Sequence, residues 1–232
     1  MIIGLHTCNR MKFTQKTVES LIEYNPDALD YQWVIVDDMS KPDMIDYLED
    51  LSNYLNACLI KFPGPKRAGI TVGIKKMVEQ ALTYNENNML YLQNDWVTTR
   101  KMDLKAIDSF MTKTGVGHIR TVLNKGSAKH QRFASRTNLA TGDLIKCTAP
   151  FRVGTESFIG GNWHYSDLPG FTNLDVAKNM FNSCDEPLVN KVEGLRVHNV
   201  EKCNMQNFLL LNQPFWNLDI RGKYQTPGGR KQ

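Results

Sequence analysis

The stretch Trp33-Val34-Ile35-Val36-Asp37-Asp38-Met39-Ser40 decides the fold, because it joins an apolar run directly to acidic and polar residues. Its first four residues are apolar at every position, which is typical of a strand covered on both faces of its sheet. Three further strands are predicted at residues 2–5, 59–62 and 89–92. Because helical patterns separate the four strands, we predict an α/β fold with a mostly parallel sheet and right-handed crossovers.

The three connecting helices are predicted from apolar residues that recur every three or four positions. These residues are Val18, Leu21 and Ile22 in the first helix, Met44, Leu48, Leu51 and Leu55 in the second, and Ile74, Met77, Val78, Ala81 and Leu82 in the third. The pair Asn25-Pro26 is expected to end the first helix.

The pattern after Asp95 is less regular. We predict helices around residues 104–111, 174–181 and 187–193, strands at 116–122, 158–159 and 195–200, and a turn at Gly160-Gly161. Residues 124–150 are polar and basic, so loops or a small antiparallel insertion are expected there.

The composition is that of a globular protein, with 41% hydrophobic and 22% charged residues among 232. No apolar run approaches the roughly 18 residues of a membrane-spanning helix, and the first residues do not resemble a signal peptide. The five cysteines are far apart and form no C-x-x-C pair, which disfavours a disulfide framework and a cysteine-built zinc site. We therefore expect a cytoplasmic protein without a transmembrane segment.

The charges are unevenly distributed along the chain. Residues 100–146 contain 10 basic and 3 acidic side chains, whereas residues 1–99 contain 9 basic and 13 acidic side chains. The basic segment has two interpretations, a surface for a phosphorylated or acidic partner and an ordinary solvated face.

All four predicted strands of the first half end in polar residues. The first ends in His6-Thr7-Cys8-Asn9-Arg10, the second in Asp37-Asp38, the third leads to Lys66-Arg67-Ala68-Gly69, and the fourth ends in Asn94-Asp95. One acidic doublet alone is a common helix N-cap. Ligands of such sheets bind beyond the carboxyl ends of the strands, so four polar ends together predict a ligand site at this edge.

In these segments the sequence resembles the inverting family-two glycosyltransferases of the GT-A fold. The resemblance rests on Thr7-Cys8-Asn9-Arg10, Val36-Asp37-Asp38-Met39-Ser40, the segment 67–74, and Leu92-Gln93-Asn94-Asp95, where the family carries its D-x-D motif. It implies one GT-A domain over residues 1–232, with a nucleotide-sugar-binding half at 1–99 and an acceptor-binding half at 100–225. Residues 226–232 are expected to form a flexible tail.

The reaction implied by the resemblance is a metal-assisted, inverting transfer of a sugar from a UDP-sugar to a carbohydrate or other hydroxyl acceptor. The resemblance implies that Thr7 and Asn9 contact the nucleoside of the donor and that Arg10 and Arg67 contact its phosphates. Asp37 or Asp38 would accept the uracil N–H. Asn94 is also implied to be a donor-binding residue. Asp95 would hold Mn²⁺ or Mg²⁺ between the two phosphates. A hard cation on oxygen ligands suits a departing diphosphate, because negative charge develops there.

The metal motif departs from the family pattern, since Asn94-Asp95 stands where two aspartates are usual. One carboxylate is sufficient in principle, because Mg²⁺ often binds through one or two carboxylates plus substrate phosphates. His198 is a candidate for a second protein ligand. The alternative is an ordinary histidine at a strand end.

An inverting transfer also needs a general base within hydrogen-bond reach of the acceptor hydroxyl. By resemblance to the family, the candidate is Asp185-Glu186 at the start of the helix predicted at 187–193. The alternative is that Asp185 caps this helix and Glu186 complements its dipole. Asp167 is the reserve candidate.

Aromatic residues near strand ends are candidates for stacking on an acceptor sugar. They are Trp96, for which burial in the core is the alternative, and the cluster Trp163-His164-Tyr165.

Two other functions remain as alternatives. A nucleotidyltransferase usually has a glycine-rich loop after its first strand, and Thr7-Cys8-Asn9-Arg10 contains no glycine. A non-enzymatic nucleic-acid-binding module would use the basic segment, but the Asp37-Asp38 edge would repel phosphates. We therefore expect no nucleic-acid partner.

Overall fold

The structure is a computed structural model that describes residues 1–64, 67–121, 151–161, 169–182, 189–192, 195–198, 208–211 and 216–217. The strands are β1 (Ile2–Thr7), β2 (Gln32–Asp37), β3 (Cys58–Lys61), β4 (Asn88–Gln93), β5 (Val97–Thr98), β6 (His118–Arg120), β7 (Phe151–Val153), β8 (Glu156–Gly161), β9 (Gly170–Asn173), β10 (Val189–Val192), β11 (Leu195–His198), β12 (Phe208–Leu211) and β13 (Trp216–Asn217). The α-helices are α1 (Met11–Tyr24), α2 (Pro42–Tyr54), α3 (Ile70–Ala81), α4 (Leu104–Thr114) and α5 (Leu174–Asn182). The insertion expected at 124–150 lies outside the described residues.

Nine strands form one sheet in the order β3-β2-β1-β4-β9-β6-β12-β8-β7. The strands from β3 to β4 in this order pair in parallel and are the four that the sequence predicts. Helices α1, α2 and α3 connect them in chain order. The predicted α/β fold with a parallel central sheet is therefore confirmed.

An antiparallel strand continues the sheet beyond β4. β9 runs antiparallel to both β4 and β6, so β6 is parallel to β4 and ends at the same edge. Gly170, the first residue of β9, pairs with Tyr91 near the end of β4 and with Arg120 at the end of β6. The chain before β9 therefore enters the sheet at the edge where the polar strand ends lie.

Helices cover both faces of the parallel strands. Ile3 and Leu5 of β1 belong to one core, which also contains apolar residues of α1, α2 and α4, whereas Ile2 belongs to a second core with residues of α3 and α5. All three side chains are fully buried. Burial on both faces explains why the predicted strands have no polar alternation.

The ends of two helices follow signals in the sequence. α1 ends at Tyr24, directly before Asn25-Pro26 as predicted. α4 begins after Asp103, whose carboxylate accepts the backbone N–H of Ala106 at 3.1 Å. It ends at Gly115 with a φ of 68°, which glycine adopts without steric cost. None of the helices in the described ranges has both the length and the apolar character needed to cross a bilayer.

Two predictions for the second half of the chain are wrong. The segment 187–193, predicted as a helix, contains the strand β10, which pairs antiparallel with β11. Val189 and Val192 are β-branched and favour a strand. The apolar pattern of so short a segment fits both a helix and a strand, and pairing with β11 selects the strand. Gly160-Gly161, predicted as a turn, are the last residues of β8 and pair with β12.

Candidate functional site

The polar ends of β1, β2 and β4 lie side by side. Thr7, the last residue of β1, is in register with Asp37 of β2, and His6 is in register with Gln93 of β4. The residues that come next along β2 and β4 are Asp38 and Asn94-Asp95. The structure thus brings together the residues that the sequence predicts at one edge of the sheet.

Thr7 and Asn94 are buried together beneath this edge. The Thr7 hydroxyl lies 2.8 Å from the Thr14 hydroxyl of α1 and accepts an amide N–H of Asn94 at 3.0 Å. Because Thr7 and Asn94 are only 1% and 6% exposed, these contacts position the neighbouring residues. Their predicted contacts to the donor stay predictions.

Asn9 connects the loop after β1 to the loop after β2. Its φ of 45° lies in the left-handed region, which asparagine tolerates better than most residues. Its backbone N–H donates to Ser40 Oγ at 2.7 Å, and its side-chain oxygen accepts the backbone N–H of Lys41 at 2.6 Å. Asn9 is itself exposed, so it is held in place and still accessible to a ligand.

The two acidic residues after β2 have different partners. Asp37, 1% exposed, accepts the backbone N–H of Ser40 at 2.8 Å and also the Ser40 hydroxyl. Asp38, 4% exposed, accepts the backbone N–H groups of Ala68 at 2.6 Å and Gly69 at 3.1 Å. Asp38 therefore fixes the residues that lead into α3.

Arg67 lies in this fixed segment and is exposed. The chain turns into α3 at Gly69, whose φ of 89° is accessible to glycine. Burial raises the pKa of the nearby Cys8 thiol, and the positive charges of Arg67 and Arg10 oppose that increase. The negative charges of Asp38 and Asp37 reinforce the increase, so charges of both signs lie near the Cys8 thiol.

An ion pair joins the loop after β1 to the end of β4. Arg10 Nη1 lies 2.8 Å from Asp95 Oδ2, and the side chains of Arg10 and Asp95 are 35% and 5% exposed. Arg10 is the N-cap residue of α1, a helix with no side-chain cap and no acidic residue in its first turn. Asp95 therefore provides negative charge beside a helix end that lacks it.

Asp95 fits a divalent cation as a single carboxylate ligand. The carboxylate is buried at the edge of the sheet and already bonds to a cationic group, so the position favours positive charge. No cluster of three or more His, Cys, Asp or Glu side chains in the described part of the chain could hold a metal ion. A cation at Asp95 would complete its coordination with phosphate oxygens and water.

His6 is a buried group that the sequence analysis did not single out. It is 8% exposed, and burial lowers its pKa from 6.5 to about 4, against a smaller opposing effect of Asp38. Its ring packs against α3, where a Cβ on Gly73 would lie 2.5 Å from His6 Nε2. The only signal in the sequence was a glycine in the middle of a predicted helix.

The buried His6 should make folding stability depend on pH. Its pKa is about 4 in the folded protein and 6.5 for a histidine fully exposed to water, so between these values only the unfolded chain binds the proton, and stability falls as the pH decreases. Between pH 7 and pH 5 the loss attributable to His6 is about 2 kcal/mol, since one pKa unit corresponds to about 1.36 kcal/mol. Urea unfolding at both pH values should show that His6→Gln loses less stability than the wild type. An equal loss in both proteins would contradict the assignment.

Several predicted site residues fall wholly or partly outside the described residues. Asp167, Asp185, Glu186 and the cluster Trp163-His164-Tyr165 lie outside them. His198 is the last residue of β11, which pairs only with β10 among the described strands. Because residues 189–192 form a strand, the helix start that supported Asp185 and Glu186 as catalytic residues is not observed.

Trp96 is buried in the hydrophobic core. It is 3% exposed, and its indole N–H donates to Gln93 Oε1 at 3.2 Å. The core interpretation of Trp96 is confirmed.

Solved structures match this architecture, although no protein-family model and no curated protein matches the sequence. S. aureus TarS aligns with 93% of this chain and 36% of its own, with a TM-score of 0.57 and 14% identity. TarS 1–349 aligns with 93% of this chain and 59% of its own, with a TM-score of 0.59 and 15% identity. GalNAc-T7 with UDP, GalNAc and Mn²⁺ aligns with 90% of this chain and 41% of its own, with a TM-score of 0.54 and 11% identity.

The chain has the GT-A fold. TarS and GalNAc-T7 are GT-A-type glycosyltransferases, and at 11–15% identity the likeness shows the fold alone. This GT-A chain spans between 36% and 59% of the length of these relatives.

Proposed function

We propose that this GT-A chain is a glycosyltransferase that moves a sugar from a UDP-sugar to an acceptor hydroxyl, with a divalent cation and with inversion. The observation that carries the proposal is the Arg10–Asp95 ion pair at the carboxyl edge of a GT-A sheet, where Asp38 also holds Ala68, the residue after Arg67. Guanidinium groups pair well with phosphates, and a carboxylate can share a cation with them. The structures of TarS 1–349 with UDP-GlcNAc and of GalNAc-T7 with UDP and Mn²⁺ support this donor class.

The donor would lie along the loops after β1 and β2. Asn9 is exposed and fixed by three hydrogen bonds, so it is proposed to contact the nucleoside. Asp37 and Asp38 each accept two hydrogen bonds from the protein. A carboxylate has about four acceptor positions, so each retains capacity for the ring N–H of uracil.

UDP is expected to bind more tightly than GDP, ADP or CMP. An acidic acceptor at Asp37 or Asp38 matches the uracil N–H, which adenine and cytosine lack, and guanine is the competitor that also carries a ring N–H. Isothermal calorimetry with the four nucleotides, each in the presence of Mn²⁺, measures this preference. A clear preference for GDP would refute the uridine assignment and leave the fold unaffected.

The cation is proposed to bind Asp95, with His198 as a second candidate ligand and phosphate oxygens as the remaining ones. Mn²⁺ and Mg²⁺ both accept oxygen ligands of this kind. When bound, the cation would neutralise charge on the departing UDP. Arg10 and Arg67 would hold the phosphates, and Thr7 and Asn94 would position the loops beneath them.

The general base is proposed to be Asp167, Asp185 or Glu186. Asp167 precedes Gly170 by three residues, and Gly170 pairs with Tyr91 at the site edge of β4. Three residues of extended chain span at most about 11 Å, which is the largest distance that can separate position 167 from Gly170. The topology therefore supports Asp167 more directly than the acidic pair.

The division of the chain remains part of the proposal. Residues 1–99 would bind the donor, residues 100–225 would bind the acceptor, and residues 226–232 would form a flexible tail. A cytoplasmic location is proposed from the spacing of the cysteines.

A further inference from the structure

We infer that Arg10 competes with the divalent cation for Asp95, and that Arg10 moves to the donor diphosphate when the cation binds. The inference rests on the proposed function, because it concerns the cation and the diphosphate of the same site. It makes Arg10 a donor-binding residue that links metal binding to donor binding.

The contact between Arg10 and Asp95 blocks part of the metal ligand. Arg10 Nη1 lies 2.8 Å from Asp95 Oδ2, a normal distance for a charge-assisted hydrogen bond. A cation that takes this oxygen as a ligand also brings its own positive charge next to the guanidinium. The two positive groups therefore repel each other at one carboxylate, and binding of the cation weakens the contact of Arg10 with Asp95.

The two partners differ in their freedom to move. Asp95 is 5% exposed at the end of the sheet, whereas the Arg10 side chain is 35% exposed. The Arg10 backbone is held by the first turn of α1, since its carbonyl accepts the backbone N–H of Thr14 at 2.9 Å. The guanidinium can therefore leave Asp95 by side-chain rotation, while α1 and the loop after β1 stay in place.

The displaced guanidinium needs another anion. Arg10 sits at the N-terminus of α1, where the helix dipole disfavours a positive charge, and the first turn contains no acidic residue. The diphosphate of the donor provides negative charge at the same edge. The cation alone should therefore bind weakly, and the cation and the diphosphate should strengthen each other's binding.

The test is a titration of the full chain with Mn²⁺, in which the electron paramagnetic resonance signal of free Mn²⁺ gives the affinity with and without UDP. For the wild type we expect UDP to tighten Mn²⁺ binding by a factor within the roughly 5- to 150-fold range of coupled sites. Arg10→Gln should bind Mn²⁺ without UDP more tightly than the wild type does. Its coupling factor should be smaller than that of the wild type, because only the direct bonds of the cation to phosphate oxygens then link the two ligands. Lys12→Gln, which removes an exposed positive charge two residues away on α1, is the matched control and should behave as the wild type.

Asp95→Asn provides a second arm that does not depend on the folding of Arg10→Gln. Without Mn²⁺, this variant should bind UDP at least as tightly as the wild type, because its Arg10 is already released. Unchanged coupling in Arg10→Gln, or weaker metal-free UDP binding by Asp95→Asn, would overturn the inference and leave the proposed function standing. A wild type that binds neither UDP nor Mn²⁺ would overturn both.

Discussion

Asp95→Asn is expected to lower the turnover of a UDP-sugar by at least about 10²-fold while the protein remains folded. A metal ion contributes several kcal/mol to the stabilisation of developing charge, and about 1.36 kcal/mol corresponds to a tenfold change in rate. Asp95 is the carboxylate proposed to bring this ion to the leaving diphosphate. The amide keeps the shape of the side chain, and Arg10 is exposed enough to be solvated when its partner is lost.

The measurement is the rate of UDP release at saturating Mn²⁺ for Asp95→Asn and for the wild type. Lys12→Gln, which removes an exposed charge of α1 and keeps the Arg10–Asp95 ion pair, serves as the matched control. Circular dichroism checks that each variant is folded. A folded Asp95→Asn with wild-type turnover would show that the metal assignment is wrong.

His198→Ala should give a milder form of the Asp95→Asn defect if His198 is a ligand.

One of the amide variants Asp167→Asn, Asp185→Asn and Glu186→Gln is expected to lower kcat by about 10²–10⁴-fold, the usual contribution of a general base. The base acts on the proton of the acceptor during the reaction and does not hold the donor. UDP affinity should therefore stay within a few-fold of the wild type in all three variants. The start of β9 at the site edge makes Asp167 the first variant to test.

The remaining two variants are the internal controls for this prediction. They should keep wild-type kcat and wild-type affinity for UDP. Steady-state turnover and calorimetric UDP binding separate a missing base from a damaged donor site. Full turnover in all three variants would place the base elsewhere and would require the inverting mechanism to be reconsidered.

The parallel half of the fold was predictable because three of its four strands, β1, β2 and β4, are buried on both faces. Four apolar runs, each followed by polar residues, gave the strands with bounds that differ from the structure by at most two residues. The sequence also predicts Asp38 and Asn94-Asp95 at one edge of the sheet, because parallel strands joined by helices have their carboxyl ends on the same side.

The remaining features depend on contacts that are distant in sequence. The Arg10–Asp95 ion pair joins residues 85 positions apart, and the packing of His6 on Gly73 requires the placement of α3 against β1. In the second half, Val189 and Val192 were compatible with a short helix or a strand, and only pairing with β11 decides between them. Gly160-Gly161 likewise form a strand because β12 supplies a partner.

The central claim is tested most directly by incubating the protein with a panel of nucleotide sugars and Mn²⁺ and measuring the nucleoside diphosphate released. Water can take the place of the acceptor hydroxyl, so cleavage of the donor does not require that the acceptor be known. We expect UDP to be released from at least one UDP-sugar, only when the divalent cation is present, and we expect Asp95→Asn to release none. UDP-sugars that remain intact, or equal release by the wild type and Asp95→Asn, would contradict the central claim.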